Sequence, residues 1–344
     1  MPLMVSAILD LELLEIKPDV GIQSQNLQIF LMEETTTASH LPPTPRPSLL
    51  QRAIDNPVIL KELRGLMRGR RAFLLLTGYI AVISIFIGLV YISLQVQSEF
   101  TQSDPQFRQG VGKAIFGVVV LLELLLVSFI APALTSGAIT AERERQTFDL
   151  LRTTLISARS LVFGKLGAAL IYLLLLIFAA LPIQSLAFLL GGVGLAELLI
   201  SGLLLVVTAL FFSALGLFFS SFLRRTLAST VTSYAAIVVS YIALGLAFFL
   251  VIFLNLPYVT TNRIAEITLI LALWAMISTN PMLTAIISQV ILIEDQSIFY
   301  TTSVLGSINL PLPSPWIPFT LLYVAAAALM ILLSIYFVNR PDRS

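Results

Sequence analysis

Four charged residues stand in unbroken succession at Glu142-Arg143-Glu144-Arg145, followed by Gln146, Thr147 and Phe148. Alternating carboxylates and guanidiniums suit ion pairing and charge-assisted hydrogen bonding. A second, isolated carboxylate, Glu123, lies inside an otherwise apolar run. The chain has no cysteine, which excludes disulfides, thiolate metal ligands and a cysteine nucleophile. Its one histidine, His40, falls in a polar, proline-rich stretch that reads as solvated, so no metal site is expected. A phosphate-binding loop needs Gly, four residues, then Gly-Lys-Ser/Thr, so that backbone amides cradle the phosphates and the hydroxyl reaches magnesium. The two Gly-Lys pairs, Gly112-Lys113 and Gly164-Lys165, are followed by Ala114 and Leu166. Phe107 and Arg159 occupy the positions where the first glycine is required. This chain therefore carries no such loop.

The elements that must position these groups follow from composition. Of 344 residues, 58% are hydrophobic and 11% charged, against roughly 25% charged in an ordinary soluble domain. The mean hydropathy is +0.96. A soluble fold of this size has too little interior for so much apolar side chain, and a net charge of +1 gives no footprint for nucleic acid. The chain is predicted to be an all-α integral membrane protein. A span needs ~20 apolar residues, and six segments meet that test: residues 72–94, 114–140, 166–190, 198–222, 228–254 and 316–338. Glu123 then sits within the second span, where a carboxylate costs ~2.5–3.5 kcal/mol on insertion scales. Substrate contact, a proton-coupled step, and a structural hydrogen bond to Tyr or Ser on a neighbouring helix are all open to it. Gln184, after Pro182, reads as a helix-packing polar group. Gly202 and Gly216 read as sites of close helix approach. Pro132 is expected to kink the second span.

Residues 264–293 are apolar but interrupted by Asn280-Pro281, and proline removes a donor and disfavours helix just before it. The two halves are each too short to span. Charge placement decides their fate, because Lys and Arg favour the cytoplasmic side. Six spans with both termini cytoplasmic place 17 of the 20 Lys/Arg inside, leaving only Arg108, Lys113 and Arg263 outside. Seven spans would export Arg340 and Arg343. Residues 264–293 are thus expected to form an external re-entrant or interfacial helical hairpin.

The first 50 residues, with Glu33-Glu34, three threonines and a Pro-rich run, read as a disordered extension. They lack the layout of a signal peptide. Met32 opens a second possible start, which makes residues 1–31 a candidate gene-start artefact. Residues 51–71 differ. Asp55 or Asn56 caps a helix that Pro57 begins. Val58, Ile59, Leu63, Leu66 and Met67 mark an apolar side, and Lys61, Glu62, Arg64, Arg68, Arg70 and Arg71 a polar one. Such a helix suits the cytoplasmic membrane interface, its cations near anionic headgroups.

The loop 141–165 carries the charged cluster together with Phe148, Leu150, Leu151 and Leu155. Phe148, Leu151 and Leu155 follow helical spacing, and Glu142 and Glu144 fall in the first turn, where acids favour the dipole. This reads either as a short amphipathic helix for a groove on a soluble partner or as a solvated loop with a helical start.

On these residues the chain resembles the permease subunit of type-2 ABC exporters. That pattern is a Glu-Arg/Lys-Glu cluster, Gly-Thr or Gln-Thr, an aromatic or Leu, a Leu pair, Thr-Thr/Pro-hydrophobe-Ser, and Gly-Lys at the third span. Here it appears as Glu142-Arg143-Glu144, Gln146-Thr147, Phe148, Leu150-Leu151, Thr153-Thr154, Ser157 and Gly164-Lys165. The resemblance extends back to Asn56-Pro57 with Lys61-Glu62, and covers residues 52–340. Family members often have proline where this chain has Leu155, which leaves the end of the loop helix open.

The resemblance implies that Glu142, Arg143, Glu144, Arg145, Gln146, Thr147, Phe148, Leu150, Leu151 and Thr154 belong to a coupling helix seated in a cleft of a separate ATP-binding subunit. Asn56, Pro57, Lys61, Glu62, Arg64 and Arg68 would belong to an elbow helix beside it. Two permeases, identical or not, and two ATPases would form the working unit in the plasma membrane. No cofactor is expected on this chain, with ATP and Mg on the partner. Competing readings are a permease-like scaffold regulating an envelope process and a secondary transporter using Glu123. Residues 260–314 are too few for a large periplasmic domain, which counts against the scaffold.

Overall fold

The computed structural model describes residues 57–97, 105–148, 157–189, 191–255, 263–294, 297–302 and 311–340. The expected extension 1–50, Asn56, and Leu150, Leu151 and Thr154 of the loop lie outside the described residues.

Pro57 opens α1 (Pro57–Met67), a position where the missing N–H costs nothing. The chain leaves it through Gly69 at φ +101°, a conformation that favours glycine. The long apolar run α2 (Arg70–Gln97) follows, so the expected helix over 51–71 resolves into an 11-residue helix, a bend and the start of the first span. Next come α3 (Pro105–Thr135), a short α4 (Thr140–Glu144), α5 (Ala158–Leu189) and α6 (Leu195–Phe222). The fifth span is α7 (Thr226–Val238), a π-helical turn (Val239–Ala243) and α8 (Leu244–Asn255). Two shorter helices, α9 (Arg263–Ile277) and α10 (Pro281–Glu294), precede a small antiparallel pair, β1 (Tyr300–Thr302) and β2 (Pro311–Pro313), and the last helix, α11 (Trp316–Asn339).

Among the described residues six helices are long and apolar enough to cross a membrane, which agrees with the six expected spans. Of the apolar window in α6, 61% is buried by the protein, against 11% in α2, so α6 is the axis of the bundle and α2 lies at its margin. It packs against α3, α5, α7 and α11. Gly216 makes the α3–α6 approach possible. A Cβ there would collide with Thr135 Oγ1 and come within 3.0 Å of Pro132 Cα. Gly202 differs from expectation, since a Cβ there would meet nothing within 4 Å.

The helices α9 and α10 are bent by 113° at Ser278–Asn280. Asn280 makes the bend, its Oδ1 accepting from Met282 N and Leu283 N, the first amides of α10. Exposed backbone at membrane depth must be sheltered by protein, and two neighbours supply the shelter. Tyr323 on α11 donates its hydroxyl to the Thr279 carbonyl (2.9 Å), and Asn280 Nδ2 donates to the Tyr241 carbonyl (3.3 Å) inside the π-helical turn. Residues 264–293 thus form two helices joined by a sharp bend whose tip is anchored in the bundle, a geometry that fits a broken span as well as a re-entrant loop.

Candidate functional site

The charged cluster lies where α3 gives way to α4. After Thr135 the chain turns, and the first amides of α4 need acceptors from outside the helix. Ser220 on α6 supplies one: its Oγ accepts from Ile139 N (2.9 Å) and Thr140 N (3.1 Å). From this fixed start, three consecutive side chains reach three different helices.

Glu142 points to α5. Its Oε1 accepts from Lys165 Nζ at 2.7 Å, and the same ammonium donates to Glu62 Oε1 on α1 at 3.0 Å. The Lys165 side chain is 4% exposed. One buried cation between two carboxylates thereby ties α1, α4 and α5 together. Arg143 points to the end of α6, its Nη1 donating to the carbonyls of Ser221 (3.1 Å) and Leu223 (3.3 Å). Those carbonyls have no intrahelical donor, and a cation at a helix C-terminus also meets the favourable end of the dipole. The Arg143 guanidinium stands 5.0 Å from the Phe148 ring centroid. Glu144 points to the start of α7, accepting from Thr226 N (2.7 Å) and Thr226 Oγ1 (2.9 Å). The residue before α7, Arg225, provides no side-chain cap, so Glu144 caps that helix from another element.

The helix expected to run from Glu142 through Leu155 is interrupted. α4 ends at Glu144, and Gln146 has φ +58°, a left-handed conformation that a side chain disfavours. Helical backbone begins again at Phe148. Glu142 and Glu144 therefore occupy a separate turn, not the first turn of the helix bearing Phe148. Phe148 is itself buried, 3% exposed, in a cluster with Val58, Ile139, Leu161, Leu217 and Val338. It faces its own chain, whereas Arg145, Gln146 and Thr147 are exposed. On α1, Lys61 and Arg64 are exposed and Glu62 joins Lys165; Arg68, exposed too, lies in the bend that follows α1. Val58 is buried, and Met67 departs from the expected apolar side by being 46% exposed.

Glu123 lies elsewhere, fully buried on α3. Its Oε2 accepts from Gln184 Nε2 on α5 at 2.8 Å, so its partner is an amide and not the expected tyrosine or serine. Among the described residues, its Oε1 and the buried Tyr79 hydroxyl each lack a hydrogen-bond partner.

Lys165, Ser220 and Thr226 were absent from the residues expected at the site. Lys165 was visible only as the end of the Gly-Lys pattern. Ser220 carries no local signal, because its partners are about 80 positions away.

No curated protein matches the chain. The family model for the ABC-2 family transporter proteins matches residues 57–338, from the start of α1 to within one residue of the end of α11. That match covers most of the sequence, and its members are membrane components that work with an ATP-binding subunit. The chain belongs to the ABC-2 transporter family.

Proposed function

We propose that this chain is the membrane subunit of an ATP-driven exporter, in which a separate ATP-binding subunit, holding ATP and Mg, acts on the loop that begins at Glu142. The observation that carries this reading is the triple attachment of the loop. Glu142 reaches α5 and α1 through Lys165, Arg143 reaches α6, and Glu144 reaches α7. A displacement of the loop is resisted by charged contacts to all of these helices at once, so it is passed on to them. In this reading α1 is the elbow helix, the loop contains the coupling helix, and a second permease subunit, identical or not, completes the membrane pair. The positive charge around α1, the loop and Arg224-Arg225 supports a cytoplasmic location for that face and for both termini in the plasma membrane. The nucleotide favours whichever state it binds more tightly, and only that difference in affinity drives the spans.

The test is co-purification of the tagged chain with a co-expressed ATP-binding subunit, scored with ATPase stimulation. Leu151→Asp is expected to abolish both while membrane insertion persists. Intact association in that variant refutes the coupling role of the loop.

A further inference from the structure

An apolar patch stands at the end of the bundle opposite the charged loop. The last helix fixes its level. Val338 packs with Phe148 and Val58 on the loop side, so Trp316, the first residue of α11, marks the far end. At ~1.5 Å per residue, the 24 residues of α11 measure about 36 Å against a hydrocarbon core of ~30 Å, which puts Trp316 in the interfacial layer.

Against Trp316 lies the bend that leads into β1. The indole N–H of Trp316 donates to the Ile298 carbonyl at 2.9 Å, and its ring lies 6.1 Å from that of Phe299. Ile298, Phe299 and Tyr300 are consecutive and all exposed, the last two at 63% and 61%. A run of three large apolar side chains facing water is a liability unless it has a use. The neighbouring pair shows that an interior was within reach. Thr301 and Leu312, opposite each other across the strands, are buried, and Leu312 joins Ile270, Trp274 and Ile277 of α9 and Ile291 of α10.

The backbone of the exposed run distinguishes a lipid surround from water. Each of its three carbonyls has a donor within the chain: Trp316 Nε1 for Ile298, Ser314 N at 2.9 Å for Phe299, and Ser297 Oγ for Tyr300. A strand bathed in water needs no such donors, whereas backbone that meets lipid must be satisfied from within. β2 is treated alike. Pro313 accepts from Trp274 Nε1 of α9 at 2.8 Å, and Pro311 and Pro313 have no N–H to leave unpaired. Both tryptophans of the chain are spent on carbonyls of this segment. Tyrosine and tryptophan, apolar in body and polar at the tip, are the side chains enriched at membrane boundaries. From Trp316 the same helix runs on into Leu321 and Leu322, exposed positions within the span.

We propose that Ile298, Phe299 and Tyr300 insert into the phospholipid leaflet at this end of the bundle, which makes β1 and β2 a membrane anchor. Because Trp316 opens α11 and Trp274 belongs to α9, lipid held here fixes the depth of both helices. The anchor requires only that the spans cross a membrane, whatever the chain carries.

The absence of cysteine allows a direct test, since Ile298→Cys, Phe299→Cys and Tyr300→Cys each accept a single nitroxide label. The full chain is reconstituted in phosphatidylcholine vesicles. Power-saturation electron paramagnetic resonance then compares collisions with oxygen, which concentrates in lipid, and with a water-soluble nickel chelate. Leu322→Cys supplies the lipid reference and Arg145→Cys the aqueous one. The oxygen-to-nickel ratio at positions 298, 299 and 300 is expected to be at least threefold above that at position 145. Three independent positions keep the test valid if one variant folds poorly. A ratio below threefold places the run in water and overturns the proposal. Low access to both reagents overturns it as well, because the face is then covered by protein, a second copy of the chain or another partner.

Discussion

Lys165→Met removes one charge from the interior and leaves two behind. The ammonium is 4% exposed and lies 2.7 Å from Glu142 and 3.0 Å from Glu62. Methionine keeps most of the volume, so the loss is electrostatic. Breaking a buried ion pair by deleting one partner costs about 3–5 kcal/mol, because the remaining charge is uncompensated. Glu62 is 31% exposed and can turn toward water, whereas the Glu142 side chain is 17% exposed and has one oxygen without a partner among the described residues. The cost therefore falls mainly on Glu142, which places the expected loss near the lower end, about 3 kcal/mol. Unfolding entropy scales at about 2.1 cal/mol/K per residue, so in a chain of 344 residues each kcal/mol moves the melting temperature by about 1.4 °C, and the drop should be roughly 4 °C. The control is the triple variant Glu62→Gln/Glu142→Gln/Lys165→Met. Replacing a whole buried charge group by neutral side chains is often neutral or stabilising, so this variant should recover most of the lost melting temperature. Thermal unfolding of the detergent-solubilised protein, followed by tryptophan fluorescence or by loss of monodispersity, reads both. An unchanged melting temperature in Lys165→Met, or a triple variant as unstable as the single one, refutes the bridge.

Two other substitutions probe particular geometries. Gln146 holds φ +58°, where a side chain costs ~1–2 kcal/mol and glycine almost nothing; Gln146→Gly should hold or raise the melting temperature, while the β-branched Gln146→Val should lower it. Glu123→Leu leaves the Gln184 amide without its acceptor inside the membrane and should cost ~1–3 kcal/mol, whereas Glu123→Gln retains a carbonyl oxygen for that bond and should melt close to the parent.

The spans were legible because twenty apolar residues have few other fates, and the bend after Ile277 was legible because Asn280-Pro281 breaks the helix chemically. What misled was context. Lys165 seemed to mark the start of the third span near residue 166, yet α5 begins eight residues earlier at Ala158. Hydropathy penalises Arg159 and Lys165, but Lys165 is neutralised by carboxylates 23 and 103 positions away, which no local window contains. The interruption at Gln146 was hidden for the opposite reason, since glutamine is an ordinary helix residue and only the backbone reveals the turn. The family pattern held the clue, because glycine alternates with glutamine at that position and glycine is the residue such a φ favours. Glu123 was recognisable as a buried carboxylate, but its pairing with Gln184 depends on how α3 and α5 lie against each other.

The fold gives the charged cluster a duty within its own chain. Read along the chain, Glu142-Arg143-Glu144 looks like an adhesive patch for a partner. In the fold, each of the three is engaged within the chain itself, and Phe148 is buried among its own neighbours. The side chains exposed in this stretch are Glu144, which caps α7, and Arg145, Gln146 and Thr147, with Gln146 at the strained turn. Charge here attaches the loop to helices of its own chain. Charged hydrogen bonds suit that duty better than apolar contact. They are directional and resist sliding, and each of these ends on a helix terminus or a buried cation. A push delivered at residues 145–147 would therefore bear on α5, α6 and α7 together, and on α1 through Lys165. A loop held by apolar packing alone would be free to yield.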